Sequence, residues 1–92
     1  MQIRFTTRIF KEGRAYVAYA QELEVSSCAY NEEKALRNLK DAVRLFLEEA
    51  ERMSTLSAIL EEAGYRKTKA RLEAPRPISV QRVSLPLPGA RA

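Results

Sequence analysis

Histidine is absent from the 92 residues. That removes the side chain whose proton moves near neutral pH, the commonest metal ligand, and every catalytic triad with an imidazole base. Cysteine occurs once, at Cys28, so an internal disulfide and a thiolate metal cluster are both excluded. A lone cysteine is more often a small buried hydrophobe than a nucleophile, and the residues leave both faces of its strand open to Cys28. Long apolar runs are missing too, and the chain opens Met1-Gln2-Ile3-Arg4-Phe5, with polar residues where a secretory leader needs an apolar block. The expectation is a cytoplasmic protein with no membrane segment. Amides are scarce, with Asn31, Asn38, Gln2, Gln21 and Gln81 the complete set.

What is present describes one small folded domain over residues 1–92, since 46% of the side chains are hydrophobic and 30% charged. A chain this short buries only about 60 to 65% of the surface that its unfolded form exposes, so a homodimer or higher oligomer is expected to complete its core. The net charge is +4, but it is unevenly spread. Residues 1–31 carry four cations and three anions, residues 32–65 five and eight, and residues 66–92 seven and one. The basic excess therefore sits in the tail.

Residues 2–10 alternate, with Ile3, Phe5, Thr7 and Ile9 on one side and Gln2, Arg4, Thr6 and Arg8 on the other, the period of a half-buried strand. Lys11-Glu12-Gly13-Arg14 supplies a polar turn, and Ala15–Ala20 follows as a second strand, so the pair reads as a hairpin. A third extended segment covers 25–30. Asn31 is a good helix cap, and Glu32 and Glu33 place negative charge at the positive end of the helix dipole. From there Ala35, Leu36, Leu39, Ala42, Val43, Phe46, Leu47 and Ala50 recur at steps of three, four and one, forming a single apolar stripe through five turns. Glu33 with Arg37, and Glu48 with Arg52, are expected as i,i+4 pairs on the outer face.

Ser54 and Thr55 are positioned to cap a shorter helix with Leu56, Ile59, Leu60 and Ala63 on its apolar side, and Gly64 is expected to end it in the left-handed conformation. The run from Arg66 to Arg71 is too polar for a core element, so residues 66–77 are read as an exposed basic connector. Residues 78–85 have strand composition, with a change of parity between Val80 and Val83, and Pro86, Pro88 and Gly89 close the ordered chain. The fold class is α+β. A three-stranded antiparallel sheet and a C-terminal strand pack on one long and one short helix, in the order β-β-β-α-α-β.

The segment Ala15-Tyr16-Val17-Ala18-Tyr19-Ala20-Gln21-Glu22-Leu23, with Cys28 and with Glu32-Glu33-Lys34-Ala35-Leu36-Arg37-Asn38-Leu39-Lys40-Asp41-Ala42, resembles the HicB-type antitoxins over about residues 3–65. The resemblance implies a small sheet against a long helix, and a function in masking a HicA-type toxin that cleaves messenger RNA. It also singles out the Glu22-Leu23 connection as a partner contact. Members usually have proline before this Glu-Leu and Pro-Gly shortly after, where this chain has Gln21, Glu24 and Val25. Many members append a segment that binds an operator; the tail here offers only the basic connector and a strand, so operator binding is not implied.

Tyr16, Tyr19 and Tyr30 are candidates for a recognition surface on the sheet, with cross-strand packing as the alternative use of the same rings. Phe10 and Tyr16 lie near the hairpin, where an exposed edge is available to another chain. Ile78, Val80, Val83 and Leu85 are candidate oligomer contacts, through addition of the terminal strand to a neighbour's sheet. Arg66, Lys67, Lys69 and Arg71 are candidate phosphate contacts, which makes a nucleic-acid-binding module the second functional reading. No ladder of aromatic residues for stacking bases accompanies that run. An orphan structural or oligomerisation module is the third. Glu32, Glu33, Asp41, Glu48, Glu49 and Glu51 lie on helix faces already supplied with cations, so no converging acids point to catalysis, and neither cofactor nor metal is expected.

Overall fold

The computed structural model describes residues 1–89, and the last three residues of the domain expected over 1–92 lie outside the described residues. The order is β1 (Gln2–Ile3), β2 (Thr7–Glu12), β3 (Ala15–Ala20), β4 (Val25–Ala29), α1 (Glu32–Arg52), α2 (Leu56–Glu62), β5 (Arg66–Lys67) and β6 (Arg71–Glu73). Strands β2, β3 and β4 form the expected antiparallel three-stranded sheet, in which Ile9 pairs with Ala18 and Ala18 with Ser27. The α+β class holds. No helix among the described residues is long and apolar enough to cross a membrane.

The stretch read as one first strand is two. Thr6 breaks it, because its backbone N–H donates to the Glu22 carboxylate at 2.7 Å, and its hydroxyl donates to the other oxygen at 2.8 Å. Before the break, β1 runs parallel to β6; after it, β2 runs antiparallel to β3. Thr7 pairs with Ala20 on the same face as Ile9, as expected, but it is exposed at the start of an edge strand.

Helix α1 follows the apolar stripe closely. Ala35, Leu39, Val43 and Ala50 are buried, and Leu36, Ala42, Phe46 and Leu47 are half-buried. Asn31 caps it by accepting the Lys34 N–H at 2.7 Å. Glu33 and Arg37 pair at 3.7 Å, but Arg52 pairs with Glu49 rather than Glu48, one position closer along the helix. These pairs are exposed and each stabilises by only about 0 to 1 kcal/mol. Burying a residue such as Leu39 or Val43 contributes about 1.5 to 3 kcal/mol, so packing against the sheet holds α1 in place. Ala18 and Ala20 are completely buried, and their small side chains let the helix lie close to β3.

Helix α2 starts at Thr55, whose hydroxyl does not cap it and instead donates back to the Ala50 carbonyl at 3.2 Å. Ser54, the other expected cap, has φ +61° and belongs to the turn between the helices. Gly64 does end α2 in the left-handed region, at φ +86°, and Tyr65 N–H returns to the Leu60 carbonyl at 3.0 Å.

The tail departs most from expectation. The basic segment is not an unstructured connector: β5 and β6 form a hairpin around Thr68, whose N–H donates to the Arg71 carbonyl at 2.8 Å. Its backbone has a use that composition does not reveal, since the Ala70 and Leu72 carbonyls accept from the Gln2 and Arg4 N–H groups and pin the amino terminus. Residues 78–85, expected as the C-terminal strand, pair with nothing among the described residues and are exposed throughout. The strand closest to the C-terminus is β6. A strand needs a ladder partner, and Pro75 and Pro77 direct the chain off the end of the β1–β6–β5 sheet, leaving an arm without one.

Candidate protein-interaction face

The β2–β3–β4 sheet has one face under α1 and one face open. Ile9, Tyr16, Val25 and Ala29 join the core on the helix side. Strand alternation sends the intervening residues to the other side, where the pairing puts Phe10, Val17 and Cys28 in one cross-strand row and Arg8, Tyr19 and Ser26 in the next. Tyr30 follows directly after β4 at the end of this face. Phe10 is 51% exposed and Tyr30 83% exposed, while Val17 and Tyr19 are half-buried between their neighbours. Nothing among the described residues covers this surface. Arg8 and Glu12 flank it with opposite charges, and Arg8 is held by a 2.7 Å hydrogen bond from its Nε to the Gln21 side-chain oxygen.

The sequence candidates divide accordingly. Tyr19 and Tyr30 are on the open face. Tyr16 is not: it faces the helix side, half-buried against the core, with the Lys11 ammonium 5.6 Å from its ring centre, a cation–π contact. Leu23 is a core residue, buried against Leu39 and its neighbours. Glu22 is engaged in holding Thr6, so its carboxylate is a bracket between strands rather than a free contact. Cys28 is exposed and not a buried hydrophobe, because its place in the alternation is opposite to that of Ser27 and Ala29. Val17 and Cys28 were not among the candidates, and Phe10 had been read only as an edge residue. The signal that marks all three is parity: Phe10 is a large apolar residue on the otherwise polar side of its strand.

The basic candidates are brought together. Arg66, Lys67 and Lys69 are exposed on the β5–β6 hairpin, and Arg71 is half-buried beside them. Ile78, Val80, Val83 and Leu85 are all strongly exposed on the arm.

Two other features bear on chemistry. Glu22, Glu24 and Glu62 rim a cleft of about 570 Å³ floored by Leu23, Phe46 and Ile59, with Glu24 holding the β3–β4 turn at φ +56°. The Tyr65 hydroxyl is buried without a hydrogen-bond partner, and burial, with a smaller contribution from the nearby Glu22 charge, pushes its pKa up to about 12. It therefore stays protonated at neutral pH. Among the described residues no group of three or more acidic or cysteine side chains is placed to hold a metal ion. No family model, curated protein or solved structure matches the chain.

Proposed function

We propose that the chain is a HicB-like domain, acting in the cytoplasm as a homodimer or higher oligomer, that binds a small RNA-cleaving toxin of the HicA type and masks it by protein association. The observation that carries this reading is the open sheet face, where Phe10, Tyr19 and Tyr30 surround Val17 and Cys28 on the side away from α1. Aromatic side chains of this kind anchor protein interfaces because they bury a large area while losing little rotamer freedom. The segments that resemble HicB antitoxins also build this face: Ala15–Ala20 is its central strand, and Glu32–Ala42 is the first half of the helix behind it.

The test is to look for a reading frame beside this one that encodes a small HicA-type protein, and to express that neighbour. Equimolar chain is expected to stop RNA cleavage by that neighbour, and the double variant Phe10→Asp, Tyr30→Asp is expected to lose the inhibition while keeping its circular dichroism spectrum. Both positions are exposed, so the fold does not depend on them. Undiminished cleavage in the presence of native chain, or a neighbour that leaves RNA intact, would overturn the reading.

A second reading rests on the β5–β6 hairpin, which holds Arg66, Lys67 and Lys69 in one exposed group with no ion pair among the described residues. Such a group contacts phosphates. It predicts retention of RNA or DNA that falls steeply with salt and disappears when the three cations are reversed to glutamate.

A further inference from the structure

Residues 78–87 carry five large aliphatic side chains, Ile78, Val80, Val83, Leu85 and Leu87, that are 74% to 104% exposed. The arm that bears them stretches the molecule: the radius of gyration is 16.5 Å, against about 12 Å for a packed chain of this length. Prolines at 75, 77, 86 and 88 hold it extended, which lowers the entropy lost when it docks. An extended apolar segment of this kind is a ligand without a receptor.

The same chain offers a receptor. Between the amino-terminal strand and the two helices runs a trough made of two hollows of about 330 and 320 Å³, which share Ile3, Leu47, Glu51 and Leu56. Phe5, Val43, Leu60 and Leu72 extend its apolar floor. Its rim carries Lys40 and Arg44 at one end, with Arg44 paired to Asp41, and Glu48 and Glu51 at the other without an ion pair among the described residues, and the arm carries Arg82 and no acid. The α1 side of the trough, from Lys40 to Glu51, is about 17 Å long and matches about five extended residues of the arm, and Leu56, Leu60 and Leu72 continue the floor beyond it.

We propose that two copies of the chain exchange these arms, each laying residues 78–87 into the trough of the other with Arg82 toward Glu48 and Glu51. This deepens the self-association part of the proposed function and is independent of any toxin. Val83, Leu85 and Leu87 share one parity and face the trough together; a buried aliphatic side chain removes roughly 60 to 120 Å² from water, so two arms and the two surfaces that receive them cover roughly 700 to 1,400 Å², which reaches the lower range of specific interfaces.

The experiment is thiol cross-linking in the full chain with Cys28→Ser as background. A tagged Val83→Cys variant is mixed with an untagged Glu51→Cys variant and oxidised, and Val80→Cys and Leu85→Cys are run in parallel to find the register. All four positions are exposed, so folding is not at issue. A disulfide-linked heterodimer is expected, together with a dimer mass in analytical ultracentrifugation that falls to monomer in Val83→Asp, Leu85→Asp. Three results would overturn the proposal. They are an internal disulfide at monomer mass in the Glu51→Cys, Val83→Cys double variant, no adduct at any of the three arm positions, or a dimer that survives the two aspartates.

Discussion

Leu39→Ala is the substitution that most directly probes the layer between α1 and the sheet. Leu39 has 0% exposure and is the one large side chain that is fully enclosed, seated over Ala18 and Ala20 with Leu23, Ala35 and Val43 around it. Truncating it removes three carbon atoms and leaves a cavity among Ala18, Ala20 and Ala35, whose side chains are too short to fill it, and Leu23 and Val43. Large-to-small changes at such sites cost about 2 to 5 kcal/mol. A 92-residue domain has about 5 to 14 kcal/mol in total, so the variant loses a large share of its stability. Each kcal/mol lowers Tm by about 4 to 8 °C at this size, giving a drop of at least about 8 °C in a circular dichroism melt. Leu45→Ala is the control, because Leu45 is on the same helix and 63% exposed. It should cost less than about 0.5 kcal/mol. Equal losses in the two variants, or a loss below about 1 kcal/mol in Leu39→Ala, would show that α1 does not pack on the sheet through this face.

Other outcomes follow from single contacts. Asn31→Ala removes the acceptor for the Lys34 N–H and should cost about 0.5 to 2 kcal/mol in urea unfolding, with Asn31→Ser recovering most of it. Gly64→Ala should cost about 1 to 2 kcal/mol, because φ is +86° and the new β-carbon would lie 3.2 Å from Pro75 Cγ. Tyr65→Phe removes a buried hydroxyl that has no partner, so Tm at pH 7 should stay the same or rise. The alkaline limb separates these two proteins further. The folded-state pKa of Tyr65 is raised from 10.0 to about 12, so its contribution is fully present below pH 10 and is lost as pH climbs toward 12, when the unfolded chain ionises first. The native chain should therefore lose more stability than Tyr65→Phe between pH 10 and 12, and identical pH profiles would contradict the burial of that hydroxyl.

Elements whose stability comes from their own pattern were legible in the residues. The stripe from Ala35 to Ala50 predicted α1 and its buried side, Asn31 its start, Gly64 the end of α2, and the strand-forming composition of Ala15–Ala20 the central strand. Elements that depend on distant partners were not. Arg71–Glu73 is a strand because the Gln2 and Arg4 N–H groups bond to its carbonyl side, and nothing local in Arg-Leu-Glu announces that. Residues 78–85 have strand composition but no ladder within the chain, so composition alone pointed to the wrong segment of the tail. The same distinction governs the candidate face. Tyrosine content suggested Tyr16, Tyr19 and Tyr30 together, whereas the pairing register sorts Tyr16 to the helix side and sets Phe10, Val17 and Cys28 beside Tyr19. Tracking parity along each strand, rather than residue type, separates the two groups.

Hydrogen–deuterium exchange on the chain, alone and mixed with a HicA-type toxin, tests the open face most directly. The account predicts slowed exchange in residues 8–12, 15–19 and 26–30 on mixing, with the β5–β6 hairpin unchanged. Protection confined to the hairpin, or none anywhere, would contradict it.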